Sequence, residues 1–112
     1  MDFVIASRKL AKLCSTWDQM VRAFGLEMAR RLGARLNELG QAASLAELRT
    51  LPHARAHELV GDRDEQISLD LVHPYRLILS VANDPVPRLP EGGLDWQLIT
   101  SVVIDEITDT HE

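Results

Sequence analysis

A two-residue link between two apolar runs limits the sheet this chain can build more than any other feature. The runs are Gln66–Val72 and Tyr75–Val81, joined at His73-Pro74, and a third run follows at Leu98–Thr108. A parallel neighbour needs a crossover of about a dozen residues, usually through a helix. His73-Pro74 cannot hold one. Asn83–Gly93, with Pro85, Pro87 and Pro90, reads as an irregular exposed loop. The later strands are therefore expected to pair antiparallel.

Alternation within the runs sets the register. Ile67, Leu69 and Leu71 alternate with Ser68 and Asp70, so one face is buried and one wet. Tyr75, Leu77, Leu79 and Val81 share one face of the next run; Arg76, Ile78 and Ser80 share the other. A plain two-residue turn would pair Leu71 with Arg76 and mix the faces. The connection must hold an odd number of residues, read here as 73–75, or contain a bulge. Arg76 then lies on the polar face with Asp70 and Ser68. The last run is apolar at both parities, with Val102 and Ile104 on one and Ile99, Val103 and Ile107 on the other, as a strand covered on both faces would be.

The first half reads as helical after a short strand, Asp2–Ala6. Ser7 is an N-cap for a helix through Cys14, and Thr16 with Gln19 forms a capping-box pattern. Trp17, Met20, Phe24, Met28, Leu32, Leu36 and Leu39 then recur at helical spacing, with Arg22, Arg30, Arg31, Arg35 and Glu38 assigned to the opposite face. Gly25 marks a break that leaves one long helix or two; Gly40 is read as the stop. Ser44 and Glu47 form a second capping box, opening a short helix that ends before Pro52. The sheet half begins near Arg55–Val60, with a turn at Gly61–Asp64. The expected fold is α+β: an N-terminal strand and two or three helices packed on one face of a mainly antiparallel sheet of four or five strands. Residues 1–112 form a single domain.

Charge is divided unevenly. Residues 1–60 carry nine Lys/Arg and six Asp/Glu, whereas 61–112 carry three and eleven. The net −5 makes the chain a poor general grip for nucleic acid, so any RNA contact must use a local basic patch. A lone cysteine, Cys14, rules out an internal disulfide and points to a reducing compartment. No run approaches a membrane span of about 20 apolar residues, and the start lacks the basic segment of a signal peptide. Cytoplasm is the expected location.

The candidate site is the sheet face left free by the helices, together with the chain end. His57 is an acid, base or phosphate ligand, or else a solvent-facing strand residue. Arg76 neutralises a phosphate, or else pairs with Asp70 or Asp62. His111 suits proton transfer, because imidazole titrates near neutrality, or else belongs to a tail. His73, before a proline, is read as structural, and His53 is given no role. The histidines form no helical pair and there is no Cys-x-x-Cys, so no metal site is expected. A phosphate-cradling glycine loop and a nucleophile elbow are also missing.

These residues carry a resemblance. Lys9–Cys14, Ala43–Arg49, the segment His57-Glu-Leu-Val-Gly-Asp-Arg63, the segment Leu69-Asp-Leu-Val-His-Pro-Tyr-Arg-Leu-Ile78, Asp84–Arg88, Gly93–Trp96 and the ending Asp109-Thr-His111 resemble, in order, the HigB-like killer toxins of the RelE/ParE superfamily. The resemblance implies a RelE-like fold and a type II toxin–antitoxin system. Its partners would be a helix-turn-helix antitoxin of the HigA kind, the ribosome and mRNA, with operator DNA met only through the antitoxin. It implies metal- and cofactor-independent cleavage of mRNA by attack of a ribose 2'-OH on the adjacent phosphate. Matched by position, His57, Arg76, Asp109 and His111 fall on catalytic places, and Arg55 and Arg63 are assigned to substrate binding. Val60 stands where many relatives have Lys, and Thr110 where others have Tyr. The alternative is a weak or inactive RelE-fold protein that serves as antitoxin partner and co-repressor. Gyrase poisoning, as in the ParE branch, is disfavoured by the terminal histidine.

Overall fold

The computed structural model describes residues 1–109. Thr110 and His111 lie outside the described residues. The described chain is α+β and runs β1 (Asp2–Ile5), α1 (Arg8–Leu13), α2 (Trp17–Phe24), α3 (Leu26–Gln41), α4 (Leu45–Leu48), β2 (His57–Glu58), β3 (Ile67–Asp70), β4 (Tyr75–Val81) and β5 (Ser101–Asp109). The strands form one sheet in the order β1-β5-β4-β3-β2. Only β1, which pairs with β5, is parallel; β2 to β5 are antiparallel. The α-helix count, four among the described residues, exceeds the expected two or three because the long periodic stretch divides at Gly25 into α2 and α3.

The caps act locally as their residue types require. Ser7 Oγ accepts from the Leu10 amide at 3.1 Å and Thr16 Oγ1 from the Gln19 amide at 3.1 Å. Gly25 adopts φ +83° between α2 and α3, so the long periodic stretch is two helices. Gly40, read as a stop, is helical; α3 runs on to Gln41 and the extended Ala42 ends it. At Ser44 the expected capping box does not form: the Ser44 side chain makes no cap bond, and Glu47 Oε2 accepts instead from the preceding Ala43 amide at 3.1 Å.

The helices cover one face of the sheet. Leu32 and Leu39 of α3 and Leu45 and Leu48 of α4 cluster with Ile67, Leu69, Leu77, Leu79, Val102 and Ile104, all buried. Each such side chain contributes roughly 1.5–3 kcal/mol of burial. Pairs Ile67↔Leu79, Leu69↔Leu77 and Asp70↔Arg76 give the odd-loop register, and the Leu71 amide donates to the Tyr75 carbonyl at 3.1 Å. The loop is therefore 72–74, one residue earlier than read from the sequence. Arg35 departs further from expectation. Assigned to the solvent face of α3, it is only 2% exposed.

Candidate functional site

The uncovered sheet face collects most of the residues singled out from the sequence. Directly paired residues point to one face. His57 pairs with Ser68, Ser68 with Ile78, and Ile78 with Glu106, which makes one cross-sheet row. The next row is Asp70, Arg76 and Thr108. Ideal strand spacings put the Cα atoms of His57 and Arg76 about 12 Å apart on this face.

Arg76 Nη1 donates to Asp70 Oδ1 at 2.9 Å, and Arg55 Nε lies 3.5 Å from Asp70 Oδ2. One carboxylate thus meets two guanidiniums, one on each oxygen. Of the two acids the sequence offered, Asp70 is the one that pairs with Arg76. Arg55 is far more open, its side chain 76% exposed against 17% for Arg76. Arg55 has φ +46°, a left-handed conformation costing roughly 1 kcal/mol for a residue with a Cβ. The kink aims its carbonyl oxygen at His57, whose Nδ1 lies 3.0 Å away. A carbonyl can only accept, so this bond requires the proton on Nδ1. In its neutral form the exposed ring then presents Nε2 as an acceptor.

A second polar network crosses the same face. At β5 the register shifts between Ile78 and Leu79, leaving Asp105 as the extra residue of a bulge. The bulge turns both Asp105 and Glu106 to the polar side, where strict alternation would place only one. Arg63 Nη1 donates to Glu106 Oε2 at 3.1 Å and to Gln66 Oε1 at 3.2 Å. Gln66 Nε2 donates to Asp105 Oδ2 at 3.0 Å, and the Ser80 hydroxyl donates to the same oxygen. Arg63 thus spans from the turn after β2 to β5, above Ser68 and Ile78, which are fully buried. Ser68 Oγ is buried without a hydrogen-bond partner among the described residues.

Asp109 is exposed and pairs with Tyr75 at the far end of β5, a row that alternation puts on the face opposite Arg76 and Thr108. His111 lies outside the described residues, so the structure joins His57, Arg55, Arg63 and Arg76 on one face but says nothing of the terminal imidazole. A groove of about 570 Å³ lies elsewhere: Leu10, Leu13, Phe24, Met28 and Ile107 line it, with none of these four residues. Among the described residues no cluster of three or more His, Cys, Asp or Glu could hold a metal.

Two supporting residues escaped the sequence reading. Arg35 bonds backbone carbonyls beside the site; its position among Leu32, Leu36 and Leu39 was the available signal. Trp96, 4% exposed, donates Nε1–H to Glu58 at 3.1 Å and lies under the Arg49 guanidinium, 3.5 Å from the ring centroid. It fixes the strand that carries His57, and only its chemistry as an amphipathic aromatic hinted at this. No family model matches the chain, and no curated protein matches it.

Proposed function

We propose that the chain is the toxin of a type II toxin–antitoxin system, a RelE-like endoribonuclease that cuts mRNA on the ribosome in the cytoplasm. The observation that carries this reading is the shared face: an exposed imidazole with an acceptor nitrogen, and two guanidiniums on one carboxylate, in adjacent rows of the sheet. The resemblance of these same positions to HigB-like toxins supports it.

The chemistry suits such a face. A base takes the proton from the ribose 2'-OH, whose oxygen attacks phosphorus. Negative charge grows on the phosphorane oxygens, and the bond to the 5'-oxygen breaks as that oxygen gains a proton. The products are a 2',3'-cyclic phosphate and a 5'-OH. In this reading Arg76 and Arg55 stabilise the phosphorane charge. His57 polarises or accepts through Nε2, His111 transfers the second proton, and Arg63 holds the neighbouring backbone.

A second reading, the antitoxin-binding co-repressor, is favoured by one observation. Arg63 and Arg76 already meet carboxylates, so RNA must compete with Glu106 and Asp70 for them. The two readings separate on induction of the chain without a helix-turn-helix antitoxin. The nuclease arrests growth, and His111→Ala or His57→Ala relieves the arrest. Normal growth with soluble, folded wild-type chain would leave the partner reading standing.

A further inference from the structure

The most deeply buried charge in the described chain is Arg35, and its partners lead to the candidate site. Arg35 Nε donates to the Asp70 carbonyl at 2.7 Å and Nη2 to the His53 carbonyl at 2.8 Å, while Nη1 meets Glu38 at 2.8 Å. A cation buried to this degree requires partners in fixed places, because each donor left without one carries its full desolvation cost. The partners here belong to three different segments.

Those segments meet where β2 leaves the sheet. His57 still pairs with Ser68, but two residues earlier Arg55 turns into the left-handed region and the regular ladder ends. The Asp70 amide then bonds the Ala54 carbonyl at 2.7 Å. Arg35 grips one carbonyl of each of these two segments, Asp70 of β3 and His53 of the stretch before β2. On one side it fixes Asp70, whose carboxylate holds Arg76 and Arg55. On the other it fixes His53, two residues before the kink whose carbonyl meets the His57 ring.

We infer that Arg35 is a positioning residue for RNA cleavage, setting the Asp70–Arg76–Arg55 cluster and the His57 ring relative to each other from behind the sheet. This rests on the nuclease reading above. Arg35 itself touches no substrate: it lies on the helix side, and its three nitrogens are already engaged. Lysine cannot replace it, because one ammonium cannot reach two carbonyls and a carboxylate in the geometry of a planar fork.

The test compares Arg35→Lys with Glu38→Gln in cleavage of ribosome-bound mRNA, with thermal melts of each. Glu38→Gln removes the charge partner and leaves both carbonyl bonds, so it separates loss of stability from loss of position. Arg35→Lys is expected to lower kcat by about 10- to 100-fold with KM changed less than about threefold, the size a misplacement near 1 Å produces. Glu38→Gln is expected to keep kcat within about twofold of wild type at a temperature where both are folded. Equal kcat in folded Arg35→Lys, or an equal loss in Glu38→Gln, overturns the inference.

If wild type does not cleave, the nuclease reading fails, and the placement is read instead from the imidazole nitrogen-15 shifts of His57. Wild type should show the Nδ1–H form, and Arg35→Lys should mix the two tautomers; identical spectra overturn the placement. If Arg35→Lys does not fold, exchange of the wild-type Arg35 guanidinium protons decides. Protected protons support the grip on both carbonyls, and fast exchange overturns it.

Discussion

Asp70 decides what the candidate face can offer to an anion, because a single carboxylate holds both Arg76 and Arg55. Arg76→Gln removes the partly buried member of this group. The expected cost is about 1 kcal/mol of stability, since the pair is neither fully exposed nor desolvated. Cleavage should fall by at least about 100-fold, through lost stabilisation of the phosphorane. A thermal melt and a single-turnover assay check the two numbers separately. Val60 offers a gain-of-function test. It is 83% exposed, so Val60→Lys adds a cation with little effect on packing. RNA affinity should rise, and the slope of log K against log salt should steepen by about 0.7, as for one more neutralised phosphate of a single strand. An unchanged slope would show that position 60 lies off the RNA path. At this scale the sequence placed Arg76 well, because strand parity alone puts it with Asp70 and Ser68. It misplaced Arg35, because a charged residue on a helix is read as solvated unless its carbonyl partners, distant in sequence, are known.

The short helices depend on their ends. Thr16→Ala should cost about 1 kcal/mol by removing the acceptor for the Gln19 amide. Gly25→Ala should cost at least about 1 kcal/mol, although no atom lies within 4 Å of the added Cβ; the penalty comes from φ +83° alone. Both are read as a lowered melting temperature, and a Gly25→Ala chain as stable as wild type would contradict the sharp break. The long loop is tied down by the exposed pair of Arg88 and Glu65, whose closest contact is 2.7 Å. The hydrogen bond and charge of Arg88 hold the Glu65 carboxyl below its ordinary value of 4.5. A lowered folded pKa gives stability that is present above the unfolded value and lost as pH falls through the folded one. Hydrogen exchange in residues 86–93 should therefore be faster in Glu65→Gln than in wild type at pH 7. The two should converge below the carboxylate range, and high salt should narrow the gap. This tie had no sequence signal, since residues 65 and 88 are joined only by tertiary structure. The antiparallel pairing of β3 with β4 was legible because a short link and alternation leave one arrangement, and that of β4 with β5 because the link between them reads as an irregular Pro/Gly loop and not as a crossover helix. The bulge at Asp105 was not: a run apolar at both parities conceals a one-residue shift.

Taken whole, the molecule keeps its charges in different company on its two layers. Arg55, Arg63 and Arg76 on the open face all sit beside carboxylates of the acidic half, whereas Arg8, Lys9, Lys12, Arg22, Arg30 and Arg31 lie exposed on the helices. The α+β class and the helix-covered sheet followed from periodicity and loop length. Convergence of His57 with the guanidiniums did not, because it depends on the kink at Arg55 and on a β2 of two residues. The claim that this face cuts RNA is tested most directly by primer extension on an mRNA being translated in a purified system, with wild type and Arg76→Gln side by side. The account predicts discrete stops within the ribosome-bound codon, with 2',3'-cyclic phosphate at the new 3' ends, appearing with wild type and lost with the variant. Full-length message after incubation with folded wild-type protein, or stops that persist undiminished with Arg76→Gln, would contradict it.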